Sequence, residues 1–195
     1  DSIDEMMACV KHFALYGASE GGRDYNMVDM SCNRMFNEYM LPYKAAIDEG
    51  VSSVMVSFND INGIPATANK WLLTDLLRKQ WGFKGFITSD HSAVKELSNH
   101  SLGDEKEVSA KALLAGVDFD MGSRSYVAQL ENAVKCGLVS EADVDVSCRR
   151  ILMVKAKLGL FENPYRFLDA KREKCELYSK ANRAAARRIA AETFV

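Results

Sequence analysis

Residues 81–91 read WGFKGFITSDH. Within them, Gly85 to Ser89 is a short run carrying Phe, Ile and Thr, residue types that suit a pleated and buried backbone, and it stops at Asp90 and His91. An apolar strand that delivers polar residues at its C-terminal end is the unit from which α/β barrels and open parallel sheets build their chemistry. The same text recurs on both sides. Met7 to Phe13 (MACVKHF), Ser53 to Phe58 (SVMVSF) and Val117 to Met121 (VDFDM) are further runs of this kind, each followed by a helical pattern. The expected helices are Ser31, as N-cap, to Glu49 with Gly50 as stop; Lys70 to Gln80; Lys95 to Leu97 with Glu105 to Ala115; and Tyr126 to Lys135. Strands alternating with such helices predict a parallel sheet joined by right-handed crossovers and covered on both faces.

About four βα units are half of an eight-stranded barrel or all of a small open sheet. All the rims are polar: Lys11 and His12, Asn59 and Asp60, Asp90 and His91, Asp118 and Asp120. That favours the barrel, whose chemistry collects where its strands end. The 195 residues suffice for one substantial core but fall short of the ~250 of a complete barrel. Beyond Ser140 the text changes. Ser140-Glu-Ala-Asp143 resembles a capping box opening a helix to about Leu158, Gly159 stops it, and Asn163-Pro164 marks a turn. Ala170 to Val195 is basic and alanine-rich, ends on TFV without a stop signal, and reads as a linker entering another unit. The expected division is a partial barrel over 1–165 and, over 166–195, a linker with the start of a second α/β domain.

Composition narrows the function. Acidic residues number 27 against 25 basic ones, the formal charge is −2, and 48% of residues are hydrophobic. No run reaches the roughly 20 apolar residues of a membrane span, and no block of one charge sign suggests a nucleic-acid footprint. Cys9, Cys32, Cys136, Cys148 and Cys175 lack the spacing of a metal knuckle or disulfide framework and are expected as buried thiols. The sequence opens at Asp1 with no initiator Met and no basic leader, so any targeting segment is expected to lie outside these residues. No GxGxxG or Walker spacing occurs, so neither metal nor organic cofactor is expected.

Asp90 at a strand end either aims its carboxylate into a barrel mouth or caps the next helix. Lys11 and His12 are likewise a rim cation and imidazole, or a solvent-facing lysine and a core histidine. Together the three suit binding of a polyhydroxylated ligand and nucleophilic chemistry upon it. Asp118 and Asp120 either touch that pocket or buttress loops. His100 is expected in a loop, Glu20, Glu96 and Glu105 on the solvated surface, and Trp71 and Trp81 in the core.

KHF at 11–13, GGRDYNMVDMS at 21–31, VMVSFNDINGIPA at 54–66, WGFKGFITSDH at 81–91 and AGVDFDM at 115–121 resemble glycoside hydrolase family 3, above all its bacterial periplasmic β-glucosidase type. KLGLFENPY at 157–165 and ARRIAAETFV at 186–195 extend the resemblance over essentially the whole chain. It implies the C-terminal half of the (β/α)8 barrel domain and a retaining, exo-acting β-glycosidase with Asp90 as nucleophile. It further implies that Lys11, His12, Phe58 and His91 contact the substrate, a β-glucoside or oligosaccharide, and that the remaining barrel strands and a C-terminal domain complete the enzyme. Many members carry Tyr where this chain has Phe58. The resemblance places the acid on a glutamate of the second domain, implies a periplasmic or secreted location, and leaves residues 1–195 alone inactive. Alternatives are the family's β-N-acetylglucosaminidases, whose usual KHFPGHG is KHFALYG here, an aldolase-like barrel using Lys11 as a Schiff base, and a catalytically silent barrel fragment.

Overall fold

The computed structural model describes residues 6–194. They form two compact units, Met6–Leu158 and, among the described residues, Gly159 onward.

In the first unit, β1 (Cys9–Phe13), β2 (Ser53–Val56) and β5 (Phe86–Thr88) form one parallel sheet in the order β1-β2-β5. Cys9 lies opposite Ser53 and Val10 opposite Val54, and the register then shifts so that Phe13 meets Val56. Across the other edge of β2, Ser53, Val54 and Met55 meet Phe86, Ile87 and Thr88. A short antiparallel hairpin, β3 (Asp60–Ile61) and β4 (Ile64–Pro65), follows β2. Gly85 opens β5 for want of space: a Cβ there would stand 2.1 Å from the Ser52 carbonyl oxygen.

The expected strand over 117–121 shrinks to a single parallel bridge between Thr88 and Phe119. Its ladder is interrupted by a side chain. The Ile87 N–H donates to Asp118 Oδ2 at 2.8 Å, while the Ile87 carbonyl accepts from the N–H groups of Asp118 and Phe119. A carboxylate thus stands where a strand carbonyl would.

The helical expectations hold with local differences. Ser31 caps α1 (Cys32–Arg34), accepting the Arg34 N–H. The chain widens to π-type turns over Met35–Tyr39 and resumes as α2 (Leu41–Asp48). The Trp71–Gln80 helix is also π-wound, closing with the Trp81 N–H on the Leu76 carbonyl at 2.9 Å. α3 (Ala93–Glu96) runs into one 3₁₀ turn, Leu97–His100; α4 (Glu105–Ala115) and α5 (Ser125–Lys135) follow. α6 (Glu141–Lys157) opens with the expected capping box, Ser140 and Asp143 each bonding the other's backbone N–H.

The core gathers on the sheet: Val54, Val56 and Ile87 pack with Leu72, Leu73, Leu76 and Leu77 of the π-wound helix and with Val108 and Ala112 of α4, all fully buried. Burying a Leu or Ile side chain contributes roughly 1.5–3 kcal/mol, so this layer fixes the sheet that carries the rim. Both faces are covered at β2 and β5, whereas β1 exposes Cys9 and Lys11.

Two expectations are corrected. All five cysteines are exposed, because Cys9 heads the outer strand and the others lie on the solvent-facing sides of helices and their ends. Trp81 packs edge-on to Phe13 at 6.0 Å, as a core residue should, but Trp71 is exposed on the first turn of its helix, with the Phe36 ring across from it at 6.5 Å.

In the second unit, Asn163 and Pro164 form the expected turn, closed by the Arg166 N–H on the Asn163 carbonyl at 3.2 Å. Asp169 caps α7 (Ala170–Glu176), and Ser179 caps α8 (Lys180–Glu192). Backbone N–H groups of Arg172 and Lys171 hold the Asp169 carboxyl below its ordinary range.

Candidate active site

Asp90 follows β5, and the chain around it is stitched down on both sides. The Ser89 N–H donates to the Phe119 carbonyl, the Met121 N–H to Ser89 Oγ at 2.9 Å, and the Ser92 N–H to the Met121 carbonyl at 2.7 Å. With its backbone fixed, the Asp90 carboxylate has two distinct oxygens. Oδ1 accepts the His91 N–H at 2.7 Å, and Oδ2 lies 3.4 Å from His12 Nε2. Asp90 is 14% exposed and His12 28%, so both can be reached by a ligand. His12 comes from β1 and Asp90 from β5, the strands flanking β2, so the pair closes over the C-terminal end of the sheet.

An aromatic wall extends from this pair. The Tyr16 ring stands edge-on to His12 at 5.1 Å, Phe58 lies 6.1 Å from Tyr16, and Tyr25 tilts against Phe58 at 4.5 Å. Tyr16 Oη donates to Asp24 Oδ1, which also accepts the Tyr25 N–H at 2.9 Å. Desolvation and the Asp24 carboxylate push the Tyr16 phenol well above its ordinary range. Desolvation, with Glu96 and Asp24, raises Tyr25 in the same sense. Both remain neutral hydrogen-bond donors at physiological pH.

Behind Phe58 and Tyr25 lies a cavity of about 240 Å³, bordered also by Thr67, Ala93, Glu96 and His100. Glu96 is not the solvated residue expected of it. Its Oε2 is buried, and no donor among the described residues reaches it. The signal was present in the sequence as a helical period: Ala93, Glu96, Leu97 and His100 share the face at i, i+3, i+4 and i+7, and all border this cavity. His100 also faces Asp60, its Nδ1 3.4 Å from Oδ1.

The remaining candidates separate. Lys11 is exposed, and the imidazole of His12, not the Lys11 ammonium, faces Asp90. His91 is exposed and lies over Gly122, where a Cβ would come within 2.6 Å of Nδ1 and where φ is +83°. Asp118 is buttress rather than pocket, wholly buried against Arg78 and Arg150. Desolvation lowers the Arg78 guanidinium to about 10 against the opposing pull of Asp118. Asp120 accepts from Ser123 Oγ and the Tyr126 N–H and is likewise a loop buttress. Glu20 is exposed as expected, and Glu105 accepts from Ser125 Oγ at 3.0 Å. Among the described residues no cluster of three or more His, Cys, Asp or Glu is placed to hold a metal ion.

A carboxylate at the end of a parallel sheet, an imidazole against it and an aromatic wall beside it form an arrangement suited to a sugar ring. Known proteins contain segments similar to this chain. Residues 2–154 match the model of the glycosyl hydrolase family 3 N-terminal domain. The chain is 46% identical over 194 residues to a periplasmic beta-glucosidase of Salmonella typhimurium, covering 97% of this chain and 25% of that protein. It is 38% identical over 161 residues to a putative beta-xylosidase of Formosa agariphila, covering 81% of this chain and 21% of that one. Among solved structures, a beta-glucosidase from Listeria innocua in complex with glucose superposes with a TM-score of 0.88 at 43% identity, covering 94% of this chain and 25% of that chain. This chain therefore spans about a quarter of the length of these relatives. With an α/β fold, a parallel sheet and the family's N-terminal domain matched over most of its residues, the chain belongs to glycosyl hydrolase family 3.

Proposed function

We propose that this chain is the C-terminal half of a (β/α)8 barrel, about four βα units over 1–165, and that 166–195 lead into a second α/β domain of the same enzyme. The enzyme is a retaining, exo-acting β-glycosidase that removes a terminal β-linked glucose or a similar sugar. The observation that carries this reading is the Asp90 carboxylate, one oxygen held by the His91 N–H and the other facing His12. Fixing one oxygen leaves the other aimed at a ligand, as a nucleophile requires. Asp90 attacks the anomeric carbon and forms a glycosyl ester as the bond to the leaving oxygen breaks and that oxygen takes a proton from an acid. Water then attacks the same carbon, gives its proton back to that acid, and releases Asp90. His12 and Lys11 bind ring hydroxyls, while Phe58 and His91 line the pocket; no metal or cofactor takes part.

The family resemblance puts the acid on a glutamate of the following domain. A second reading makes it Glu96, and the buried Oε2 that no donor among the described residues reaches favours it, since such an oxygen is open to a ligand hydroxyl. In the intact enzyme, Glu96→Gln separates the two. An acid's loss spares substrates with good leaving groups and slows poor ones by about 10²- to 10⁴-fold, whereas uniform kinetics leave the acid to the second domain.

Relatives named as β-glucosidase and β-xylosidase frame the sugar, which nitrophenyl glucoside and xyloside distinguish. A periplasmic or secreted location follows the Salmonella relative's name. No helix among the described residues is long and apolar enough to cross a membrane. The main test is trapping with a 2-fluoro glycoside and mass spectrometry. The adduct belongs on Asp90, and an adduct on another carboxylate overturns the assignment.

A further inference from the structure

One carboxylate outside the sheet touches both ends of the aromatic wall. Asp24 Oδ1 accepts the Tyr16 phenol and the Tyr25 backbone N–H. Tyr16 leads inward: its ring meets the edge of His12, whose Nε2 faces Asp90. Tyr25 leads outward, with its backbone at a φ of +63° and its ring on Phe58. A non-glycine residue in the left-handed region is strained and persists where its surroundings hold it. The loop between the two tyrosines is itself tied, with the Glu20 N–H on the Met27 carbonyl at 3.0 Å and Asn26 Nδ2 on the Glu20 carbonyl at 2.9 Å. Asp24 is exposed and sits on this loop, away from the reacting pair.

We propose that Asp24 is a positioning residue, which through Tyr16 and Tyr25 sets the His12 imidazole and the Phe58 ring at the spacing one sugar ring requires. This rests on the reading of Asp90 and His12 as the reacting and binding groups. The physical basis is geometric, since catalytic groups displaced by a fraction of an ångström lose much of their effect, and an aromatic edge contact restrains an imidazole only while its own ring is held. The raised phenol supports the same view, because Tyr16 stays a donor to Asp24 over the working pH range.

The test uses the intact enzyme and the variants Tyr16→Phe, Asp24→Ala, Asp24→Asn and the Tyr16→Phe/Asp24→Ala double. Tyr16→Phe and Asp24→Ala each lower kcat/KM by about 10- to 100-fold, the range for a lost hydrogen bond to a charged group. The double variant is no worse than the weaker single, because the residues act as one unit. Asp24→Asn, whose amide oxygen still accepts, recovers to within about 3-fold of wild type. Affinity for an imino-sugar inhibitor falls in step with kcat/KM across the series, as a loss of transition-state fit demands and a loss of mere stability does not. Wild-type kinetics for Tyr16→Phe, or losses that multiply in the double variant, overturn the proposal. If Asp24→Ala fails to fold, Tyr16→Phe alone decides. Asp90→Asn run alongside separates the two levels: retained activity there overturns the reaction itself, whereas a dead Asp90→Asn beside a normal Tyr16→Phe overturns only the positioning role.

Discussion

Asp118 Oδ2 accepts the backbone N–H of Ile87 at 2.8 Å, so a side chain from the next rim completes the hydrogen bonding of β5. The same carboxylate is wholly buried, accepts from Ser147 Oγ at 3.1 Å and Arg150 Nη1 at 2.8 Å, and is also paired with Arg78. Both the sheet and α6 depend on this one group. Asp118→Ala is expected to destabilise the protein by about 3–5 kcal/mol, because it leaves the buried Arg78 without its counter-charge. Chemical denaturation measures it, and a loss below 1 kcal/mol contradicts the buttress.

His12 and Lys11 are expected to differ. The range for losing a hydrogen bond to a charged group, about 1.5–3 kcal/mol of transition-state binding, applies to His12→Ala, since His12 faces the Asp90 carboxylate. Lys11 is exposed, and Lys11→Ala should fall at or below the bottom of that range. Steady-state kcat/KM on a nitrophenyl glycoside ranks the two, and the reverse order would place the stronger sugar contact on Lys11.

Gly122→Ala is expected to act on His91. The substitution forces a side chain at a φ of +83° and drives a methyl group to 2.6 Å from His91 Nδ1. The strain amounts to about 1–3 kcal/mol and the ring must move. A lower unfolding midpoint together with a raised KM is the expected pair of readouts, and an unchanged KM would separate His91 from the substrate.

The opening of α6 carries a pH dependence. Hydrogen bonds from the Ser140 hydroxyl and backbone hold the Asp143 carboxyl below its ordinary value. A depressed carboxyl stabilises above its unfolded pKa, near 4, and the contribution is lost as pH falls through the folded value. Amide exchange at Asp143 and Val144 should therefore speed up, relative to the middle of α6, as pH drops below about 4. Asp143→Asn should show the faster exchange already at neutral pH.

Most of the frame was legible in the sequence. The runs ending at Phe13, Phe58 and Ser89 read correctly because strands that face a core carry apolar and β-branched text, nearly continuous in β2 and β5, which are covered on both faces, and broken by Lys11 in β1, which is not. Ser31 and Ser140 read correctly because capping is a local chemistry of a few residues. The run at 117–121 did not, since Asp118 bonds a residue 31 positions away and no local period records that. Glu96 reads as surface in the sequence because it is a lone carboxylate, although its helical face joins it to Ala93 and His100. The Tyr16–Asp24 contact joins residues with no shared period, so only folding brings it into view. Cysteine burial failed for another reason: apolar neighbours in sequence say little about which side of a helix faces out.

The exposed thiol of Cys9 gives the outer strand a chemical reporter. Among the described residues β1 pairs only with β2, and Cys9 begins it at the open side. A thiol-selective alkylating reagent therefore reads occupancy of that edge through a rate. Residues 1–195 alone should be modified quickly at Cys9, and, on the proposed half-barrel reading, a segment that docks beside β1 should slow the reaction in proportion to the fraction bound. Cys136, exposed at the C-terminal end of α5, supplies an internal reference for the same measurement.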